Sequence, residues 1–210
     1  MDKFLTELII LGPPLLFALT LHELAHGLVA NHLGDPTARL AGRLTLNPLK
    51  HLDPIGTIAF FFIKFGWAKP VPVNPGYFRN PKQDMLWVAL AGPATNLGLA
   101  VISAILVKAL WLLGAFLPAS PLAEAVFRPL IAMLIASVWI NLVLAIFNIL
   151  PIPPLDGGKI LAGLLPDHLA GPFRQLERYG FILVIILALT GVLSAVILPI
   201  IKNVNSLLLS

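Results

Sequence analysis

Residues 13–33 read PPLLFALTLHELAHGLVANHL, an apolar run of helical length that carries His22-Glu23-Leu24-Ala25-His26 near its middle. On an α-helix, residues four apart share a face, so His22 and His26 can place two imidazole nitrogens on one metal ion. Glu23 stands about 100° round the helix. From there it can serve as general base toward a water beside the metal without being a ligand. Three ionisable side chains within five positions are expensive in lipid, where such groups face a protein interior or a water-filled cavity.

The rest of the chain extends the apolar character. Of its 210 residues, 58% are hydrophobic and 11% charged, against about 25% charged in an ordinary soluble domain. The composition implies an integral membrane protein, polytopic and α-helical, with four to six membrane helices forming a single membrane-embedded domain over residues 1–210. Spans are expected at Phe4–Leu33, Met85–Leu113, Pro129–Leu150 and Tyr179–Ile201, with a short helix at Gly157–Leu165. Gly12-Pro13-Pro14 predicts that the motif-bearing helix starts near Pro13, and Gly34-Asp35-Pro36 predicts its end. Pro151-Ile152-Pro153-Pro154 predicts a broken helix beside the metal motif. The N-terminus lacks a small-residue cleavage site in the usual place and reads as a retained span.

Residues 35–84 are the least helical part, punctuated by seven prolines. Thr37–Leu46 partly alternates apolar and polar residues, and Ile55–Phe65 is β-branched and aromatic but too short to span. Together they suggest a small re-entrant or interfacial β-hairpin, with an amphipathic surface loop as the alternative. Arg39, Arg43, Lys50, Lys64, Lys69, Arg79 and Lys82 lie between the first two spans, whereas the loop before the third offers only Arg128. The positive-inside rule therefore puts residues 35–84 in the cytoplasm and the metal motif in the cytoplasmic half. The net charge of +4 comes from these short loops and calls for no nucleic-acid partner. With no cysteine, a metal site must use His, Asp or Glu.

Two histidines need a third ligand if zinc is to keep an open position, and Asp156 is the best candidate: it follows the proline-rich break and precedes Gly157-Gly158. An Asp-Gly pair alone reads as a tight turn; beside an HExxH at membrane depth the ligand reading prevails. Asn96 and Asn148 are open to two readings, as glue between helices or as amides that donate to a substrate carbonyl or oxyanion. Gly92 and Gly98 suggest close helix approach. His32, His51 and His168 read as interfacial.

The combination of His22-Glu23-Leu24-Ala25-His26, Gly92-Pro93-Ala94-Thr95-Asn96 and Asn148-Ile149-Leu150-Pro151-Ile152-Pro153-Pro154-Leu155-Asp156-Gly157 resembles the site-2 protease family of intramembrane zinc metalloproteases. Gly66–Pro75, GWAKPVPVNP, is similar to the family's loop after its membrane-embedded hairpin. The resemblance implies one zinc ion held by His22, His26 and Asp156, Glu23 as catalytic base, and Asn96 and Asn148 as substrate-positioning or oxyanion groups. It implies hydrolysis within or near the transmembrane segment of protein substrates in the bilayer, at the cell membrane. Many relatives carry a PDZ or CBS domain; this chain is expected to be a minimal core, regulated through a membrane partner or by substrate pre-cleavage. The competing readings are a metal-ion transporter or channel and a non-catalytic membrane binding protein. A carrier gains little from a base at position 23, whereas hydrolysis requires one.

Overall fold

The computed structural model describes residues 3–63, 66–114 and 121–210. Helix α1 runs Lys3–His32, straight through Pro13 and Pro14 rather than starting there. Prolines inside a membrane helix are tolerated because neighbouring groups and local adjustment satisfy the freed carbonyls. Its end is the expected one. Gly34 adopts φ +107, the Gly34 N–H donates to Asn31 and the Asp35 N–H to Ala30, the paired bonds of a Schellman stop.

Thr37–Leu40 forms a single helical turn, α2, and Pro54–Ile63 forms helix α3. The hairpin expected across these residues is therefore corrected: no strand occurs among the described residues, where one antiparallel bridge, Leu52 to Ala68, brackets α3. Lys64 and Phe65, at the end of the expected second strand, lie outside the described residues. The physical reason is local. The Asp53 carboxylate accepts from the Gly56 N–H at 2.8 Å and its carbonyl from the Thr57 N–H. An acidic cap followed by proline in the first turn starts a helix. A helix also satisfies its own backbone in an apolar setting, which a lone hairpin with open edges does not.

Helix α4 spans Pro81–Gly114 and α5 Pro121–Asn148, so Pro121 and Glu124, which the sequence puts in a short loop before the third span, belong to a helix; Pro118, expected in the same loop, lies outside the described residues. After irregular backbone at residues 149–155 come α6 (Asp156–Leu164) and α7 (Asp167–Gln175). The last expected span, Tyr179–Ile201, is instead two helices, α8 (Glu177–Leu189) and α9 (Val192–Leu209). They part at Gly191, whose φ of +77 lies in the left-handed region that glycine enters without penalty.

Among the described residues, four helices are long and apolar enough to cross a membrane: Leu5–His32 within α1, α4, Glu124–Asn148 within α5, and α9. Large apolar side chains such as Phe17, Ile105, Leu112 and Val196 are exposed on their outer faces, as expected where lipid replaces water. Helix α4 is central, packing on α1, α5, α6 and α9. Small residues permit this: Ala100 and Ala104 of α4 meet Val138 and Leu142 of α5 and Leu193, Ile197 and Ile201 of α9 in one buried cluster.

Candidate metal centre

Helix α1 delivers His22 and His26 one turn apart toward α4 and the start of α6. Both are buried, with imidazoles 4.7 Å apart and nearly perpendicular. Asp156, the first residue of α6, turns inward to meet them. The His22 Nε2 and His26 Nε2 atoms are 3.1 Å apart, and Asp156 Oδ2 lies 3.2 Å from the first and 3.1 Å from the second.

The histidine tautomers follow from what stands behind each ring. His22 Nδ1 meets Asn96 Oδ1 at 2.5 Å and His26 Nδ1 meets the Val88 carbonyl at 2.7 Å. Both partners are oxygens that only accept, so each Nδ1 donates, and in a neutral imidazole that leaves a lone pair on Nε2. Three electron-pair donors therefore point at one another across about 3 Å, an arrangement that repels itself until a cation joins it. Zinc bonds of about 2.0–2.1 Å place tetrahedral ligands about 3.3 Å apart, close to the observed triangle. The donor set, its spacing and the outer hydrogen bonds to each ring all fit zinc. Among the described residues, this is the group of His, Asp and Glu able to hold a metal.

Close packing sets the geometry. A Cβ on Gly92 would come within 2.5 Å of His26 Nε2 and 2.6 Å of His22 Nε2, so α4 can approach the imidazoles only as glycine. Gly98, expected to serve the same purpose, faces open space. Behind Asp156, added Cβ atoms on Gly157 and Gly180 would fall 2.2 Å from the Ile149 carbonyl oxygen and 1.9 Å from that of Pro153. The 149–154 segment thus lies pressed between α6 and α8. Lys159 Nζ approaches the other carboxylate oxygen, Asp156 Oδ1, at 3.5 Å from a half-exposed position.

Glu23 stands beside the cluster, its Oε2 accepting the Val71 N–H at 2.8 Å. Sequence reasoning gave no partner for this carboxylate, because the contact joins residues 48 positions apart. Residues 69–74 form a strap held at further points. The Arg43 guanidinium donates to the carbonyls of Lys69 at 2.7 Å and Pro70 at 3.2 Å, and the Lys69 N–H donates to the His51 carbonyl. His51 is buried rather than interfacial, its ring bonded to the Thr45 carbonyl. Asp35 accepts the Asn74 N–H at 2.7 Å and both the N–H and hydroxyl of Thr37. Burial opposes ionisation of Asp35, but these bonds outweigh it and hold the carboxyl below its ordinary range.

A cavity of about 420 Å³ opens on the cluster. Glu23, His22, His26, Asp156 and Asn148 line it, with Trp67, Val71, Phe147 and Phe181 as apolar walls. Asn148 donates to the Leu144 carbonyl at 2.9 Å and borders the open space. Asn96 is fully buried, does not border the cavity, and uses its amide on His22, Asn141 and Ala18. The structure thus brings His22, Glu23, His26, Asn148 and Asp156 to one chamber and sets Asn96 behind it. Asn141 escaped the sequence reading. A signal existed: it precedes Asn148 by seven residues, two helical turns, and so shares its face.

Comparison with known proteins agrees with this chemistry. The model of peptidase family M50 matches residues 112–191, which include the Asn148–Gly157 motif. The chain is 43% identical over 207 residues to the candidate zinc metalloprotease YwhC of Bacillus subtilis (strain 168), covering 95% of this chain and 90% of the relative. It is 32% identical over 184 residues to the candidate zinc metalloprotease Rip2 of Mycolicibacterium smegmatis, covering 85% of this chain and 66% of the relative. No solved structure matches the chain. Buried zinc-type ligands, helices fit to span a bilayer and a near-full-length relationship converge on one conclusion: the chain belongs to peptidase family M50, the site-2 protease family of intramembrane zinc metalloproteases.

Proposed function

We propose that His22, His26 and Asp156 hold one catalytic zinc ion and that Glu23 is the general base for hydrolysis of a peptide bond in or near the transmembrane segment of a protein substrate. The observation that carries this reading is the triangle of three donor atoms 3.1–3.2 Å apart, opening on a cavity that Glu23 also lines. When bound, zinc supplies Lewis acidity that polarises the scissile carbonyl and makes the attacking water more acidic. Glu23 takes the proton of that water and returns it to the leaving amine. Its Oε2 is steadied by the Val71 N–H, which leaves Oε1 as the oxygen to take the proton. Asn148, at the cavity margin, is placed to donate to a substrate carbonyl. Asn96 acts from behind His22 rather than on substrate, its amide being engaged by protein.

The cavity walls favour an extended apolar segment, since a helical substrate keeps its carbonyls in its own hydrogen bonds. We read residues 1–210 as one membrane-embedded catalytic domain, with the α5–α6 junction as a membrane helix interrupted at the metal. We place the chain in the cell membrane with the site toward the cytoplasm; the orientation is supported by six basic residues between α1 and α4 and a seventh, Lys82, in the first turn of α4. A reporter inserted within residues 35–80 should score as cytoplasmic; an extracytoplasmic signal would reverse the orientation.

The metal assignment is tested without knowledge of the substrate. Purified wild type is expected to carry close to one zinc per chain and Asp156→Ala far less, with helicity by circular dichroism unchanged. A well-folded wild type that takes up no zinc when supplied with it would remove the basis of the mechanism.

A further inference from the structure

A row of polar side chains, buried except for the half-buried Ser137, runs from His22 away from the cavity, across α4 into α5. Asn96 Oδ1 accepts from His22 Nδ1, and Asn96 Nδ2 donates to Asn141 Oδ1 at 2.8 Å and, at 3.4 Å, to the Ala18 carbonyl. Asn141, only 1% exposed, donates from its own Nδ2 to the Ser137 carbonyl at 2.9 Å and to the Ser137 hydroxyl at 3.1 Å. The Ser137 and Ser103 hydroxyls lie 2.9 Å apart.

The direction of this chain is set at its far end. A main-chain carbonyl can only accept, so Asn141 must turn its NH₂ toward Ser137 and its oxygen toward Asn96. Asn96 must then turn its NH₂ toward Asn141 and its oxygen toward His22. His22 is thereby held with the proton on Nδ1 and the lone pair on Nε2. A reversed Asn141 would set NH₂ against NH₂, and a reversed Asn96 would face His22 Nδ1 with a donor, forcing the proton onto the nitrogen that must bind metal. The contact to Ala18 is too long to enforce this alone.

We propose that Asn141 is a positioning residue of the zinc centre: it transmits the fixed polarity of the Ser137 carbonyl through Asn96 to select the metal-binding tautomer of His22. The proposal rests on the reading of His22, His26 and Asp156 as the zinc site. Loss of an outer hydrogen-bond partner of a metal-bound histidine lowers metal affinity by about 10–100-fold, and Asn141, one step further out, belongs at the lower end of that range.

The test is zinc affinity of the purified full chain by chelator competition, with the visible absorption of the cobalt(II)-loaded protein as a report on ligand geometry. Asn141→Leu, close to isosteric, is expected to bind zinc about tenfold more weakly and to alter the cobalt spectrum. In an Asn96→Asp background the same change should have no effect on affinity, because a carboxylate accepts from His22 whichever way it is turned. A merely structural role for Asn141 would lower affinity equally in both backgrounds, and that result, or unchanged affinity in the single variant, overturns the proposal. If leucine prevents folding, Asn141→Ala carries the same pair of expectations. Absence of zinc from wild type would overturn the underlying site assignment and the proposal with it; zinc-loaded wild type with an indifferent Asn141→Leu overturns the proposal alone.

Discussion

Glu23→Gln is expected to keep its zinc and lose its hydrolysis. Glutamine has the shape of glutamate and retains an oxygen for the Val71 N–H, so the strap over the site, the cavity and the three ligand atoms stay as they are. What disappears is the capacity to take a proton, and removal of a general base lowers rate by about 10²–10⁴-fold. The measurement pairs zinc content with cleavage of a membrane-inserted reporter peptide in liposomes. Zinc at the wild-type level with cleavage at background is the expected pair. Undiminished cleavage would take Glu23 out of the mechanism, whereas metal flux into liposomes that persists in the variant would mark a carrier.

The second large effect belongs to a residue with no chemistry of its own. Gly92→Ala places a methyl group about where the histidine nitrogens now lie, 2.5–2.6 Å away. Neither ring can retreat easily, because His22 is tied to Asn96 and His26 to the Val88 carbonyl one turn before Gly92 on the same helix. Either α4 moves outward or the imidazoles rotate, and both separate the ligand triangle. Overpacking of this kind costs about 1–3 kcal/mol of stability, while zinc affinity is expected to fall by at least the about 100-fold seen at the upper end for outer-shell losses. Gly98→Ala is the control, since a Cβ there meets nothing within 4 Å; it should bind zinc as wild type does. Equal zinc affinity in both variants would show that α4 does not set the site.

The contrast between these two glycines shows what a sequence conceals. Both sit in an apolar helix and read alike, but only Gly92 faces the histidines, and that depends on how α4 is rotated against α1. Residues four apart on one helix and an Asp before paired glycines were legible because their geometry is local. Hence His22, His26 and Asp156 could be named before their distances were known. The stop at Gly34 was legible for the same reason. Helix α3 was not: β-branched and aromatic content suggested a strand, while the Asp53-Pro54 start and the need to satisfy backbone groups in an apolar setting decided for helix. The division of the last span at Gly191 was hidden among residues apolar on both sides. The Glu23–Val71 bond and the Asn96–Asn141 pairing were out of reach because each joins distant parts of the chain, and a lone asparagine in a span reads first as packing.

The interlocked amides behind His22 also shape the electric field at the site. Their carbonyl ends all point toward the imidazole, so their dipoles add head to tail and turn a negative pole to the metal ligands. In water-soluble zinc sites that influence often comes from a carboxylate bonded to the ligand histidine. Within a bilayer, one more ionised carboxylate at helix centre would cost about 2.5–3.5 kcal/mol. Asn96 and Asn141 obtain a field of the same sign from uncharged groups, so a cation is attracted by oriented polarity instead of by an added ion.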